Sequence, residues 1–244
     1  MRVAIVTGGS RGIGRAVVER LAAGGWGVLF THSESPAEAA EVVAAVDAAG
    51  GTARALQLDV TDAGAPARLF DEAAQMGEVV ALVNNAGVTG PLGALEGLTD
   101  DDLHRVVDVD LVAVARLCRE AARRWTGDGA RRDIVSISSI AARTGAAGEY
   151  VVYAAAKAGV EALSCGLARE LGPRGVRVNV VAPGTTDTGI HARAGEPGRA
   201  ARVGATLPLG RAARAEEVAG AVVWLLSGEA GFVSGSVLPV AGGA

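Results

Sequence analysis

The sequence predicts a single α/β domain in which one doubly wound parallel sheet of about seven strands is covered by helices on both faces. Short apolar runs rich in Val, Ile and Leu alternate with longer segments whose apolar residues recur at helical spacing. No Pro- or Ser-rich linker, composition break or internal repeat interrupts this alternation over 244 residues. Near-continuous apolar strands are typical of parallel sheets that are buried on both faces.

The predicted elements follow in order along the chain. Strands are predicted over 2–7, 27–31, 53–58, 79–83, 134–138, 176–181 and 237–240. Helices are predicted over 12–23, 36–49, 65–75, 102–125, 150–171 and 216–226. Boundary signals support the second and the fourth of these helices. Pro36 stands near the start of the second helix, and Gly50 follows its end. Thr99 with Asp102 forms a capping signature before the fourth helix.

Composition narrows the classes of function. Only 3% of residues are aromatic, and the formal net charge of −4 argues against a nucleic-acid or anionic-membrane surface. The first apolar run stops at Gly8, too early for a signal peptide, and no stretch suggests a membrane span of roughly 20 apolar residues. Scattered histidines and two cysteines in apolar helical patterns predict no metal site. We expect a cytoplasmic protein.

A glycine-rich turn follows the first strand. It has the sequence TGGSRGIG, in which Gly8, Gly12 and Gly14 are spaced Gly-x-x-x-Gly-x-Gly where a helix begins. Glycines let the backbone approach a pyrophosphate, whose charge the helix N-terminus stabilises. A phosphate-binding P-loop is excluded because no Gly-Lys-Ser/Thr follows. The turn therefore predicts a dinucleotide site.

The candidate chemistry lies in residues 134–157. A strand ends in Ser138 and Ser139, and the next helix carries Tyr153 and Lys157. Residues four apart share one helix face, so the Lys157 ammonium can lie beside the phenol and lower its pKa from about 10 towards neutrality. Such a tyrosine can donate and accept a proton at neutral pH. Tyr150 is a poorer candidate because four residues after it stands an alanine.

Together these motifs resemble the compact, single-domain short-chain dehydrogenase/reductase family. The match includes TGGSRGIG at 7–14, Asp59-Val60, NNAG at 84–87, the serine strand end, YAAAK at 153–157, Pro183-Gly184 and the tail VSGSVLPVAGG. The tail and residues 190–211 are similar to members labelled glucose-dehydrogenase-like or 3-oxoacyl-carrier-protein-reductase-like. The resemblance implies a Rossmann-type domain that interconverts a small carbonyl compound and a secondary alcohol by hydride transfer. It also implies a homo-oligomer, either a tetramer or a dimer.

The resemblance assigns roles to individual residues. Tyr153 is the acid and base, Lys157 lowers its pKa, and Ser139, with Ser138 as the fallback, binds the substrate oxygen. Residues 186–210, rich in Gly and Ala with few bulky side chains, are expected to form a mobile lid, and Ser139, Tyr150 and His191 are expected to face the substrate. The residues expected at the cofactor are Gly8, Ser10, Arg11, Gly12, Ile13, Gly14, His32, Ser33, Asp59, Val60, Asn85, Ala86, Gly87, Tyr153, Lys157, Pro183, Gly184, Thr186 and Thr188.

Two positions depart from the family pattern. Asp110 stands where the family usually has a catalytic Asn, so its carboxylate could pair with Lys157 and weaken the effect on Tyr153. We expect no such pair, because burying an extra carboxylate costs several kcal/mol unless it is compensated. Ser139 lies fourteen residues before Tyr153 rather than the usual thirteen, which predicts a loop one residue longer.

The second strand predicts the cofactor. An NAD site places an acid at its end to bind the ribose hydroxyls, and this chain has His32 there. Arg11 and Ser33 could face a 2′-phosphate, so NADP(H) is expected in preference to NAD(H). A cofactor-binding sensor or scaffold without turnover is the alternative, motivated by Asp110. An extended-type sugar-nucleotide epimerase fits less well, since only about sixty residues follow Pro183.

Overall fold

The computed structural model describes residues 1–127 and 129–244. Its strands are β1 Arg2–Val6, β2 Gly27–His32, β3 Thr52–Gln57, β4 Glu78–Asn84, β5 Arg132–Ile137, β6 Val176–Pro183, β7 Thr186–Asp187, β8 Ala213–Arg214 and β9 Val237–Val240. Seven of them form one sheet in the order β3-β2-β1-β4-β5-β6-β9, and β7 pairs with β8. Every pair is parallel. The strand order reverses direction at β1 and β4, where an open α/β sheet places its ligand crevice.

The helices lie on both faces of this sheet. They are α1 Gly12–Ala23, α2 Pro36–Ala48, α3 Ala65–Ala74, α4 Asp100–Val107, α5 Ala113–Arg124, α6 Ala141–Thr144, α7 Val151–Leu171, α8 Ile190–Arg193, α9 Arg199–Gly204 and α10 Ala215–Leu226. A π-helical segment, Asp108–Val112, joins α4 to α5. Single 3-10 turns lie at Leu95–Gly97, Gly172–Arg174 and Gly228–Ala230.

Two hydrophobic cores hold the layers together. Side chains alternate along β1, so Ala4 and Val6 join one core while Val3 and Ile5 join the other. The first core packs α1, α2 and α10 against the sheet, and the second packs α3, α5 and α7. Because both faces are covered, the carboxyl ends of the central strands are left as the open edge for a site.

The sequence-based prediction of the fold is confirmed. Each predicted strand and helix is present with its ends within one or two residues, and the sheet has seven strands. The predicted helix 102–125 is the exception, because the π segment interrupts it. The Thr99–Asp102 capping box is formed as expected. Helices α6, α8 and α9 were not predicted; α8 and α9 lie inside the predicted lid.

One apolar helix corrects an expectation. Val151–Arg174 is long and apolar enough, by length and composition alone, to cross a membrane. The prediction that no stretch of this kind exists is therefore wrong. In the fold this helix packs against β6 and buries Ala154, Lys157 and Val160. A core helix of a globular domain passes the same test of length and composition.

The glycine turn between β1 and α1 is tied to the end of β4. Gly8 and Gly12 have φ of +66° and +53°, a region that favours glycine. The Asn85 amide donates to the carbonyl oxygens of Thr7, at 2.9 Å, and Gly8, at 3.0 Å. A Cβ at Gly14 would lie inside van der Waals contact of the Gly8 oxygen and the Asn85 amide nitrogen. Close packing of α1 against the turn therefore requires glycine at position 14.

We predict that Gly14→Ala lowers the free energy of unfolding by about 1–3 kcal/mol, because the added methyl forces the turn and α1 apart. Urea denaturation followed by circular dichroism measures this change. Gly166→Ala is the matched control, since Gly166 lies exposed in α7 with open space around its Cα. The control should be neutral or stabilising. Equal stability of the wild type and the Gly14 variant would contradict the packing argument.

Candidate active site

A cavity of about 720 Å³ opens at the carboxyl ends of the central strands. This volume is within the usual range for a site that binds a small molecule or cofactor. Its wall includes every predicted site residue except Gly14 and Asp110. Gly14 instead lets α1 approach the turn. Asp110 lies fully buried behind the wall and acts through Lys157.

Lys157 and Asp110 form a buried ion pair beside the cavity. The Lys157 Nζ lies 3.0 Å from an Asp110 carboxylate oxygen, and both side chains are almost completely buried. Lys157 also donates to the Ile137 carbonyl oxygen at 2.9 Å. The Val88 N–H donates to the other Asp110 oxygen at 3.2 Å. Gly87 makes room, since a Cβ there would lie 2.7 Å from Asp110.

The expectation that Asp110 stays unpaired is therefore wrong. It rested on the cost of burying a carboxylate. That cost is present, since burial raises the pKa of Asp110 above its usual value, but Lys157 and the Val88 amide offset part of it and the pair forms. The π segment centred on Asp110 turns its side chain towards α7. Burial would lower the pKa of Lys157, but the Asp110 carboxylate and Tyr153 raise it above its usual value. Lys157 is therefore a permanent ammonium at neutral pH.

Tyr153 faces the same ammonium. Lys157 Nζ lies 5.5 Å from the centroid of the tyrosine ring. Burial nevertheless raises the pKa of Tyr153 above its usual value; Lys157 and Ser139 lower it, and Asp110 raises it further. The predicted fall towards neutrality is thus wrong for the protein without ligand. The cost of desolvating the phenolate exceeds the stabilisation that the Lys157 ammonium gives it, because the Asp110 carboxylate cancels part of that positive charge.

The two serines at the end of β5 point to different places. Ser138 is buried, and its hydroxyl donates to the Glu161 carboxylate at 2.9 Å and lies 3.3 Å from the Lys157 carbonyl. Ser139 lines the cavity, interacts with Tyr153 and accepts a hydrogen bond from the Ala141 N–H at 3.1 Å. Ser139 is therefore the serine placed to contact a substrate.

The other end of the cavity fits a dinucleotide. The glycine turn forms a cradle that side chains would fill, and the Ser10 and Ser35 hydroxyls, 2.7 Å apart, tie it to the start of α2. His32 is buried, and burial lowers its pKa, so it is a neutral ring. Exposed Arg11 brings a positive charge to this part of the wall, and Glu34 also lines it.

Two further arginines at the cavity lie in residues 186–210, the predicted lid, and no sequence pattern identified them. Burial, followed by the nearby charge of Arg11, lowers the pKa of Arg193 in α8. Two like charges at the cavity wall favour an anion between them, such as a cofactor phosphate. Arg199 at the start of α9 donates to Glu149 at 2.9 Å, and its guanidinium lies 5.0 Å from the Tyr150 ring centroid. Isolated arginines in a Gly- and Ala-rich segment carry no pattern that could have identified them.

Several predicted residues are held by local hydrogen bonds. The Asp59 carboxylate accepts from the Thr61 amide at 2.9 Å and hydroxyl at 2.7 Å. Thr186 donates to the Gly184 carbonyl at 3.1 Å. Within 1–127 and 129–244, no group of three or more His, Cys, Asp or Glu side chains could hold a metal ion.

We predict that Asp110→Asn makes Tyr153 ionise at lower pH, because the carboxylate that raises its pKa is removed while Lys157 remains. The chain has only two tyrosines, so Tyr150→Phe isolates the Tyr153 signal. Alkaline titration of tyrosinate absorbance in that background, with and without Asp110→Asn, measures the direction. Asp108→Asn, an exposed carboxylate in the same π segment, is the control and should leave the titration unchanged. A titration that stays in place or moves upward in the Asp110 variant would contradict this electrostatic account.

Known proteins resemble this chain over nearly its whole length. A family model described as enoyl-(acyl carrier protein) reductase matches residues 8–244. The chain is 43% identical over 246 residues to the uncharacterised oxidoreductase YgfF of Escherichia coli K12, with both chains fully covered. It is 39% identical over 244 residues to the 3-oxoacyl-[acyl-carrier-protein] reductase FabG of that organism, covering 99% of this chain and 96% of the relative.

A solved structure agrees with these relatives. The crystal structure of a short chain dehydrogenase from Burkholderia cenocepacia J2315 in complex with NADP superposes with a TM-score of 0.89 at 38% identity. The match covers 98% of this chain and 96% of that one. With a family model over nearly the whole chain and full-length relatives near 40% identity, the protein belongs to the short-chain dehydrogenase/reductase family of NAD(P)-dependent oxidoreductases.

Proposed function

We propose that the protein is an NADP(H)-dependent oxidoreductase that interconverts a carbonyl and a secondary alcohol, with Tyr153 as the acid and base. The observation that carries this proposal is the convergence of three groups at one end of the cavity. Tyr153, Ser139 and Lys157 all line the cavity, and the Tyr153 side chain interacts with both the Ser139 hydroxyl and the Lys157 ammonium. A carbonyl oxygen between Ser139 and Tyr153 would meet two hydroxyl donors.

The raised pKa of Tyr153 favours the acid role. A protonated phenol can donate to the oxygen of a carbonyl as negative charge develops there. The phenolate that remains is stabilised by Lys157, whose ammonium Asp110 and the Ile137 carbonyl hold in place. A bound nicotinamide would supply or accept the hydride in this reaction. Ser139 orients the substrate oxygen, and Tyr153 restores its proton from solvent or a relay.

The cofactor preference rests on charge near the adenosine ribose. Arg11 offers a guanidinium to a 2′-phosphate, which suits bidentate recognition. The position at the end of β2, where an NAD site would carry an acid, holds neutral His32. The Burkholderia relative binds NADP. Glu34 lies in the same wall and opposes this preference, so the contribution of Arg11 must exceed that of Glu34.

Self-association is part of the proposal. Large apolar side chains stay exposed in the C-terminal part of the chain, namely Leu209, Trp224 and Phe232. Symmetric pairing of chains would bury this apolar surface. A homo-oligomer acting on a small molecule is therefore the expected form. A sensor or scaffold without turnover remains the competing function, and the absence of any cofactor oxidation with carbonyl substrates would favour it.

We predict that Tyr153→Phe lowers kcat for carbonyl reduction at least about 100-fold, because the variant cannot donate the proton. Cofactor affinity, measured by NADPH fluorescence, should stay within a few-fold. Tyr150→Phe provides the contrast, since turnover should persist there. A Tyr153 variant that keeps more than about a tenth of wild-type kcat would remove Tyr153 from the acid role.

We predict a higher kcat/KM with NADPH than with NADH, and a loss of about tenfold or more in that preference in Arg11→Ala, since a charge-assisted hydrogen bond to phosphate is removed. Arg15→Ala is the matched control, because Arg15 pairs with Glu19 and Glu41. It should keep the wild-type ratio. Equal use of both cofactors by the wild type would show that His32 and Arg11 do not select the phosphate.

A further inference from the structure

Arg193 in α8 brings a guanidinium from the predicted lid to the glycine turn. A Cβ at Gly189 would lie 3.4 Å from an Arg193 guanidinium nitrogen, so this head group lies against the backbone where α8 begins. The neighbouring residue, Thr188, contacts the turn itself, since a Cβ at Gly12 would lie 3.2 Å from its methyl group. Both Arg193 and Gly12 line the cavity. Arg193 therefore lies near the point where α1 begins.

The first turn of α1 is open to an anion. The helix begins at Gly12, its N-cap residue Arg11 supplies no side-chain hydrogen bond, and its first turn contains no acidic residue. The free N–H groups and the positive end of this 12-residue helix stabilise a negative charge. In a dinucleotide site that charge is the pyrophosphate. The residues around this turn therefore decide how tightly the pyrophosphate is held.

Neither Arg11 nor Arg193 is paired inside the protein. Within residues 1–127 and 129–244, neither guanidinium makes a hydrogen bond or an ion pair, and both residues are exposed. Arg199, in the same lid segment, is by contrast paired with Glu149 and Glu196. Partial burial, followed by the charge of Arg11, lowers the pKa of Arg193. Two unpaired positive charges on one cavity wall attract an anionic ligand that can reach both.

The two arginines approach the turn from different sides. The Ser10 hydroxyl lies 2.7 Å from the Ser35 hydroxyl, which places this part of the turn, and with it Arg11, beside the residues that follow β2. The adenosine ribose of a dinucleotide is recognised there. Arg193 approaches instead from the lid segment, at the first residue of α1. The 2′-phosphate is therefore the expected partner of Arg11, and the pyrophosphate that of Arg193.

We propose that Arg193 binds the pyrophosphate of the cofactor and thereby ties the lid segment to the glycine turn, whereas Arg11 binds the 2′-phosphate. The inference rests on the cofactor site proposed above and assigns its two anionic groups to two different arginines. NADPH and NADH carry the same pyrophosphate and differ only in the 2′-phosphate. Arg193 therefore contributes equally to the binding of both cofactors, while Arg11 selects between them.

Binding measured by isothermal titration calorimetry, without a carbonyl substrate, tests this division. Arg193→Met removes the charge and keeps an aliphatic stem beside Gly189. It should raise the dissociation constants of NADPH and NADH by the same factor, about tenfold or more, as expected for a lost charge-assisted hydrogen bond. Adenosine 2′-phosphate, which has no pyrophosphate, should bind the variant and the wild type equally well.

Two further variants serve as controls. Arg11→Ala should weaken the binding of NADPH and adenosine 2′-phosphate and leave that of NADH nearly unchanged, which is the reverse pattern. Arg202→Ala removes another arginine of residues 186–210, one whose guanidinium pairs with Glu196 outside the cavity wall. It should leave every dissociation constant unchanged, which separates a direct contact from the general loss of one positive charge.

Three results would overturn the assignment of Arg193. Unchanged dinucleotide binding in Arg193→Met would show a solvated surface side chain. A loss confined to NADPH, or a matching loss for adenosine 2′-phosphate, would assign Arg193 to the 2′-phosphate. An equal loss in Arg202→Ala would show a general effect of charge. Dinucleotide binding without reduction of any carbonyl would contradict the proposed function alone, and binding of neither dinucleotide by the wild type would overturn both.

Discussion

A buried charge pair between the π segment and α7 fixes the geometry of this site. Lys157 Nζ and an Asp110 carboxylate oxygen lie 3.0 Å apart with almost no solvent contact; the Val88 amide donates to the other Asp110 oxygen, and Lys157 donates to the Ile137 carbonyl. Removing one partner from such a pair would leave an uncompensated buried charge, which costs several kcal/mol. The pair therefore holds the Lys157 ammonium in place beside the Tyr153 ring. It also sets the electrostatic balance at the phenol, because the carboxylate cancels part of the effect of the ammonium.

The two ends of the cavity differ in charge. At the cofactor end, Arg11 and Arg193 place two positive charges close together, an arrangement that an anionic ligand would relieve. At the substrate end, Glu149 and Glu196 compensate the charge of Arg199, and Ser139 and Tyr153 line the wall. Arg193 and Arg199 both belong to residues 186–210, the segment that the sequence predicts as a lid. Their surroundings differ because they lie at different ends of the cavity.

The sequence alone predicts the strands and helices of the fold and many of the residues in the candidate site. Apolar strands and helical spacing predict local structure directly, and the glycine turn specifies where α1 must begin, so the elements and about half of the residues that line the cavity were predicted. The Asp110 pair was not, because its energy depends on Val88 and Ile137, which are distant in sequence. For the same reason the direction of the Tyr153 pKa was wrong: spacing shows which charge is near but not how much water is excluded. The surroundings of Arg193 and Arg199 depend on Arg11, Glu149 and Tyr150, which are distant in sequence, so no local pattern identifies them.

The buried pair can be observed directly because Lys157 is the only lysine in the chain. Growth with nitrogen-labelled lysine gives one side-chain ammonium signal, and its pH titration by NMR reports the pKa of Lys157. We expect a pKa above the usual value of about 10.4, falling when Asp110 is replaced by Asn. Ionisation of Lys157 below its usual value in the wild-type protein, or a titration indifferent to Asp110, would show that the pair does not hold the ammonium and would contradict the account built on it.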